Sequence, residues 1–137
     1  MKVTSIKTHK ITKKDTDLLV IVDKYVPELS EGSILAITSK IVSITEGSLV
    51  KIGDEEKDDI IIREAEKYLP RTSNKYDVLL TIKNNSMNFS SGVDESNSKG
   101  YYVLWPRDSQ KSANIVREHL VKKYRKKNIG VIITDTA

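Results

Sequence analysis

The 137-residue chain contains no cysteine. Disulfide bridges, thiolate nucleophiles and thiolate metal sites are therefore excluded. Histidine is nearly as scarce, with His9 and His119 far apart in sequence, which argues against a histidine-rich zinc site. Neither a glycine loop ending in Gly-Lys-Ser/Thr nor a Gly-x-Gly-x-x-Gly fingerprint occurs, so no P-loop or dinucleotide fold is expected. The Gly-x-Ser-x-Gly nucleophile elbow is missing as well. No uncharged apolar run approaches the roughly 18 residues of a membrane-spanning helix. The lysine-studded stretch from Met1 to Lys14 lacks the apolar centre of a secretory signal. Internal repeats and low-complexity tracts are absent. These absences together give the expectation of a soluble, cytoplasmic protein with no membrane partner.

What is present suits one globular domain spanning 1–137. Apolar residues make up 38% and charged residues 31% of the chain, the balance of a wet-surfaced globular protein. A chain of this length can bury on the order of two thirds of its unfolded surface. Lysine and arginine number 23 against 19 acidic residues, a net charge of +4 that suits an anionic ligand without requiring one.

Hydrophobic patterning predicts a mixed α/β fold (α+β), a layered mixed sheet with helices. Met1 to Ile6 reads as a strand. Asp15 or Thr16 caps a helix with Leu18, Val22, Tyr25 and Leu29 on one face, and Pro27 ends it. Ser33 to Thr38 is a buried strand. Ser39 to Gly47 is ambiguous, and Ser48 to Ile52 returns to strand. Gly53 to Asp59 is an acidic loop, followed by a helix to Leu69 with Ile61, Ala65 and Tyr68 inward. Asp77 to Lys83 and Tyr101 to Trp105 read as strands, with a turn at Asn84-Asn85. Asp108 or Ser109 caps a long helix to about Lys126, striped by Ala113, Val116, Leu120 and Tyr124. Val131 to Thr134 closes as a buried strand, and this strand–helix–strand order can form a parallel crossover pair.

Three places carry candidate chemistry. The polar segment Ser90-Ser91-Gly92-Val93-Asp94-Glu95-Ser96-Asn97 combines a glycine that admits close backbone approach with carboxylates suited to magnesium or manganese. Its alternative reading is a surface turn. Asp135-Thr136 follows an apolar strand, where ligands of open α/β sheets gather; the alternative is a helix cap. Thr38-Ser39-Lys40 ends another apolar strand and can meet phosphate, or be an ordinary strand end. The basic run Lys122 to Lys127 reads first as a solvated, dipole-compatible helix end and second as a nucleic-acid surface.

Together, the segments Ile37 to Ser43 with Glu46-Gly47, Ser91 to Asn97, Tyr102 to Leu104 with Pro106, and Ile132 to Thr136 resemble the coenzyme F420-0:gamma-glutamyl ligase family, including its folate-metabolism relatives. The resemblance is strongest in Gly92-Val93-Asp94-Glu95-Ser96-Asn97. It implies a GTP-dependent enzyme with two divalent cations, Mg2+ or Mn2+. The enzyme would join L-glutamate to a carboxylate acceptor, a deazaflavin cofactor or a folate, as an intertwined homodimer. It also implies residue roles: Asp94 and Asp135 as metal ligands with Thr136 on the second metal, and Ser39, Lys40 and Asn97 as nucleotide contacts. Ile44 stands where some members carry a further basic contact. Members of the family continue beyond the Asp-Thr position, so the expectation is an N-terminal portion, inactive alone. Two alternatives stand beside it: a non-enzymatic nucleotide- and metal-binding module, and a basic nucleic-acid-binding protein.

Overall fold

The computed structural model describes residues 2–95 and 100–135. The class is mixed α/β, with four α-helices and seven strands distributed over three small sheets among the described residues. Two compact units share the chain: Met1–Gly47 with Pro106–Ala137, and Ser48–Trp105.

In the first unit, β1 (Ile34–Thr38) runs parallel to β7 (Gly130–Thr134), in register from Ile34↔Gly130 to Thr38↔Thr134. Both strands are β-branched, as a pleated surface favours. Three helices belong to this unit: α1 (Leu18–Tyr25), α2 (Ser39–Glu46) and α4 (Ser109–Tyr124). Val22, Leu35, Ile37, Val42, Val116, Leu120 and Ile129 form its core. The sheet is covered on one face: Leu35 and Ile37 are buried while Ile34 and Ile132 point outward. Val131 to Thr134 is thus a half-covered strand rather than a buried one, with Val131 and Ile133 packed on the core. Its parallel partner is β1, because β6 (Tyr101–Val103) pairs instead with β2 (Leu49–Lys51) in the second unit.

Helix ends follow local chemistry. The α1 cap is Asp17, whose carboxylate accepts from Leu19 N at 2.8 Å, one step past the expected Asp15 or Thr16. Asp15 is engaged elsewhere, by His9 at 2.8 Å and Thr12 N at 2.8 Å. Pro27 forces Val26 into extended geometry, so α1 stops at Tyr25. The ambiguous segment after β1 is α2, closed by Gly47 at φ +71°. Asp108 caps α4 through Lys111 N at 2.8 Å. The expected first strand is not formed: Lys2 to Ile6 finds no ladder partner, and Val3 is 82% exposed.

α4 ends on Arg125 at φ +53°, a left-handed position that costs an L-residue about 1–2 kcal/mol. Arg125→Gly removes that strain at a smaller cost in unfolded-chain entropy. The expected gain is about 0.5–1 kcal/mol, read as a higher urea midpoint at unchanged slope.

The basic helix end is met by acidic side chains of the same unit. Asp23 Oδ1 lies 2.7 Å from both His119 Nε2 and Lys123 Nζ. Lys126 Nζ is 3.6 Å from Glu28, and Glu31 accepts Lys127 N at 2.7 Å and Asn128 N at 2.8 Å. These contacts tie His119, Lys123 and Lys126 to their own unit, as the structural reading of the run expects.

The His119 hydrogen bond, then that of Lys123, holds the Asp23 carboxyl below its ordinary range. The backbone N–H groups of Lys127 and Asn128 do the same for Glu31. A carboxylate depressed in the folded state stabilises above its unfolded pKa, and that contribution is lost as pH falls through the folded value. Urea midpoints are therefore expected to hold steady from pH 7 to 5 and fall below about pH 4. Asp23→Asn should flatten that fall; an identical acid profile in the variant would refute the assignment.

In the second unit, β2 and β6 are antiparallel, and β3 (Lys67–Leu69), β4 (Leu80–Lys83) and β5 (Ser86–Asn88) form a three-stranded antiparallel sheet. α3 (Lys57–Glu64) packs Ile60 and Ile61 with Leu79, Val93 and Tyr102. The acidic loop is shorter than expected because Asp58 and Asp59 form the first turn of α3, where carboxylates complement the helix dipole. The helix also ends early: Ala65 is extended. Tyr68, expected inward, pairs with Thr81 in β3 and is 48% exposed. Leu80 opens β4 three residues late, since Asp77 sits at φ +52° and breaks the extended run. β6 ends at Val103 rather than Trp105. The Asn84-Asn85 turn holds, both residues at positive φ between paired Lys83 and Ser86, the geometry of a tight hairpin.

Candidate functional site

In the first unit, the candidate residues gather at the carboxyl edge of β1 and β7. Because Thr38 and Thr134 are in register, the next residue on each chain emerges side by side. Ser39 Oγ donates to Asp135 Oδ1 at 2.8 Å, holding the carboxylate over that edge. Ser39 is buried, Lys40 half-buried and Asp135 exposed. Ser39 and Lys40 are also the first residues of α2, whose N-cap Thr38 makes no side-chain cap bond. The positive end of the α2 dipole thus shares this edge with a lysine, an arrangement that favours an anion such as phosphate.

A separate group of candidate residues belongs to the other unit. Val93 N donates to Ser90 O at 2.8 Å, while Ser91 and Gly92 sit at φ +48° and +75°. Positive φ at both central residues makes this a hairpin-type turn of the primed class. Ser91 N donates to Thr81 Oγ1 at 3.1 Å. Thr81 Oγ1 in turn lies 2.8 Å from Asn88 O, so the turn is stitched to β4 and β5. Val93 then enters the core, and Asp94 exchanges two backbone hydrogen bonds with Val103, at 2.8 and 2.7 Å. Asp94 is half-buried. Beside it, Glu95 pairs with Lys57 at 3.2 Å, an exposed pair worth at most about 1 kcal/mol.

Of the residues read from the sequence, Ser39, Lys40 and Asp135 come together in the first unit. Asp94 belongs to the second unit. Asn97 and Thr136 lie outside the described residues. Among the described residues no three His, Asp or Glu side chains gather as a metal cluster. Taken singly, the carboxylates of Asp135 and Asp94 are hard oxygen donors of the kind magnesium and manganese accept, and Ser39 Oγ orients that of Asp135. Sequence reasoning missed Thr81, which anchors the turn, and Lys57, which meets Glu95. Nothing in their local sequence marks either role, since both depend on segments distant in the chain.

Comparison with known proteins places the chain in a family. A family model described as F420-0:Gamma-glutamyl ligase matches residues 5–137. The coenzyme F420:L-glutamate ligase of Methanopyrus kandleri is 33% identical over 127 residues, covering 80% of this chain and 49% of that protein. The coenzyme F420:L-glutamate ligase of Methanococcus maripaludis is 34% identical over 128 residues, covering 93% of this chain and 50% of that protein. The chain therefore spans about half the length of the curated relatives it matches. With nearly every residue inside the match, this chain belongs to the F420-0:gamma-glutamyl ligase family.

Proposed function

We propose that the chain forms the nucleotide- and metal-binding portion of a GTP-dependent ligase. That ligase joins L-glutamate through an amide bond to a carboxylate acceptor, coenzyme F420-0 or a folate-like acid. The observation that carries this reading is the Ser39–Asp135 contact at a strand-end, helix-start edge in a chain whose family is named for that reaction. The working form is a homodimer, an extension from the family resemblance.

The chemistry asks little of the protein beyond position and charge. The terminal phosphoryl group of GTP passes to an acceptor carboxylate oxygen, with GDP leaving. The glutamate amine then attacks the acyl carbon, phosphate departs with the C–O electron pair, and the amine loses a proton. The α2 N-terminus and Lys40 bind phosphate oxygens, with Ser39 and Asn97 as further nucleotide contacts. Asp94, Asp135 and Thr136 would hold Mg2+ or Mn2+. A bound divalent cation supplies neutralising charge to the phosphate oxygens.

Replacing the matching segment of the Methanopyrus kandleri ligase with this chain gives a protein of full family length. It is expected to form glutamylated F420 only when GTP, glutamate and a divalent cation are all supplied. A folded chimera that binds GTP and Mn2+ yet forms no amide with deazaflavin or folate acceptors would favour the non-enzymatic binding module instead. The 137-residue chain alone is expected to ligate at no measurable rate, since its relatives carry about as much chain again.

A further inference from the structure

The turn that carries Asp94 rests on the only tryptophan of the chain. A Cβ built on Gly92 would fall 2.2 Å from Trp105 Cδ1 and Cγ and 2.3 Å from Cδ2. The indole therefore lies flat against the Gly92 backbone, closer than any side chain at that position permits. Gly92 is also at φ +75°, so its lack of a Cβ is required twice, once for backbone conformation and once for this approach. Two residues on, Asp94 is locked to Val103 by the paired backbone hydrogen bonds. Val103 itself precedes Trp105 by two residues, and Leu104 N is held by Ser48 O at 3.0 Å. The segment 103–105 thus grips the turn at two points, through the ladder at Asp94 and through the indole at Gly92.

We infer that Trp105 is a positioning residue for the Asp94 carboxylate, setting its height and direction for a divalent cation by fixing the turn through Gly92. This rests on the proposed metal role of Asp94, and extends it to a side chain that touches neither metal nor nucleotide. The ladder holds the turn at Asp94 and the Thr81 hydroxyl holds it at Ser91 N, whereas Gly92 between them is free to turn at little steric cost unless the indole bears on it. Loss of the indole frees the carboxylate to sample orientations that a cation with strict octahedral demands does not accept.

The test is a Mn2+ titration of the isotope-labelled 137-residue chain, followed by paramagnetic broadening of backbone amide resonances. In the wild type, the amides of Val93 and Asp94 are expected to broaden at the lowest Mn2+ additions. Asp94→Asn should abolish that selectivity. Trp105→Ala should require at least tenfold more Mn2+ for the same broadening. Trp105→Phe, which keeps an aromatic face, should recover most of the wild-type response. Gly92→Ala, which displaces the indole and strains the turn, should behave like Trp105→Ala or worse. In the Asp94→Asn background, Trp105→Ala should change nothing further, as a merely structural role would not predict.

The outcomes separate the two claims. Unchanged Mn2+ response in folded Trp105→Ala, with Asp94→Asn still abolishing it, overturns the positioning role alone. Wild-type broadening that avoids Asp94, or survives Asp94→Asn, removes the cation from Asp94 and overturns both. If Trp105→Ala does not fold, the Phe and Gly92→Ala variants decide: a wild-type response in Gly92→Ala overturns the inference.

Discussion

Asp135→Asn in the full-length chimera is expected to lower the rate of GTP-dependent glutamylation about a hundredfold or more, the usual cost of one electrostatic stabiliser at a phosphoryl- or acyl-transfer centre. The substitution is close to isosteric, and an asparagine side-chain oxygen still accepts from Ser39 Oγ, now 2.8 Å from the carboxylate. Asp135 is exposed, so folding stability should stay within about 0.5 kcal/mol of the wild type. Only the negative charge is withdrawn, and with it the affinity for a hard cation. Ser39→Ala offers the graded control. It keeps the charge but removes the donor that orients it, for an expected loss of about tenfold, the scale of one hydrogen bond to a charged group. Full activity in Asp135→Asn at limiting Mn2+ would remove Asp135 from the metal site. A larger loss in Ser39→Ala than in Asp135→Asn would mean that the nucleotide contact of Ser39 outweighs the charge of Asp135.

How far the sequence could be read depended on element length. α4 has 16 residues, enough for Ala113, Val116 and Leu120 to mark one face, and Asp108 marks its start. Both the helix and its cap were legible. α3 and β3 have 8 and 3 residues, too few for either period to show. Tyr68 fits an inward helical position in the pattern, and becomes a strand residue only because β4 supplies a ladder. Likewise the pairing of β1 with β7 joins residues 96 apart, and no local signal announces it.

The candidate site residues divide along the same line. Ser39, Lys40, Asp94 and Asp135 were legible by residue type at strand ends and in a glycine turn. Their physical supports were not. Thr81 under Ser91 and the indole on Gly92 are contacts between remote segments. Trp105 read only as the last residue of an expected strand, because its neighbours in sequence do not show which segment the indole meets.

Leu120→Ala is expected to destabilise the chain by about 2–5 kcal/mol. Leu120 has no exposed surface and packs with Val22, Val42, Val116 and Ile129 at the meeting of α4 with α1, α2 and the strand pair. Three of those neighbours are β-branched valines with few alternative rotamers, so the space vacated by three carbon atoms collapses poorly and the cost should sit in the upper half of that range. Against a total stability of about 5–15 kcal/mol for a domain, a cost of about 3.5–5 kcal/mol is at least about a quarter of the whole. A paired measurement makes the cause plain. Leu120→Met conserves volume and should cost less than about 1.5 kcal/mol, whereas Val20→Ala, on the 61% exposed face of α1, should shift stability by no more than about 0.5 kcal/mol. Urea unfolding followed by circular dichroism gives all three values. A Leu120→Ala cost below that of Val20→Ala would mean that the first core is not organised around α4. The position of Ser39 and Asp135 depends on that core, because β1 and β7 hold their register against it.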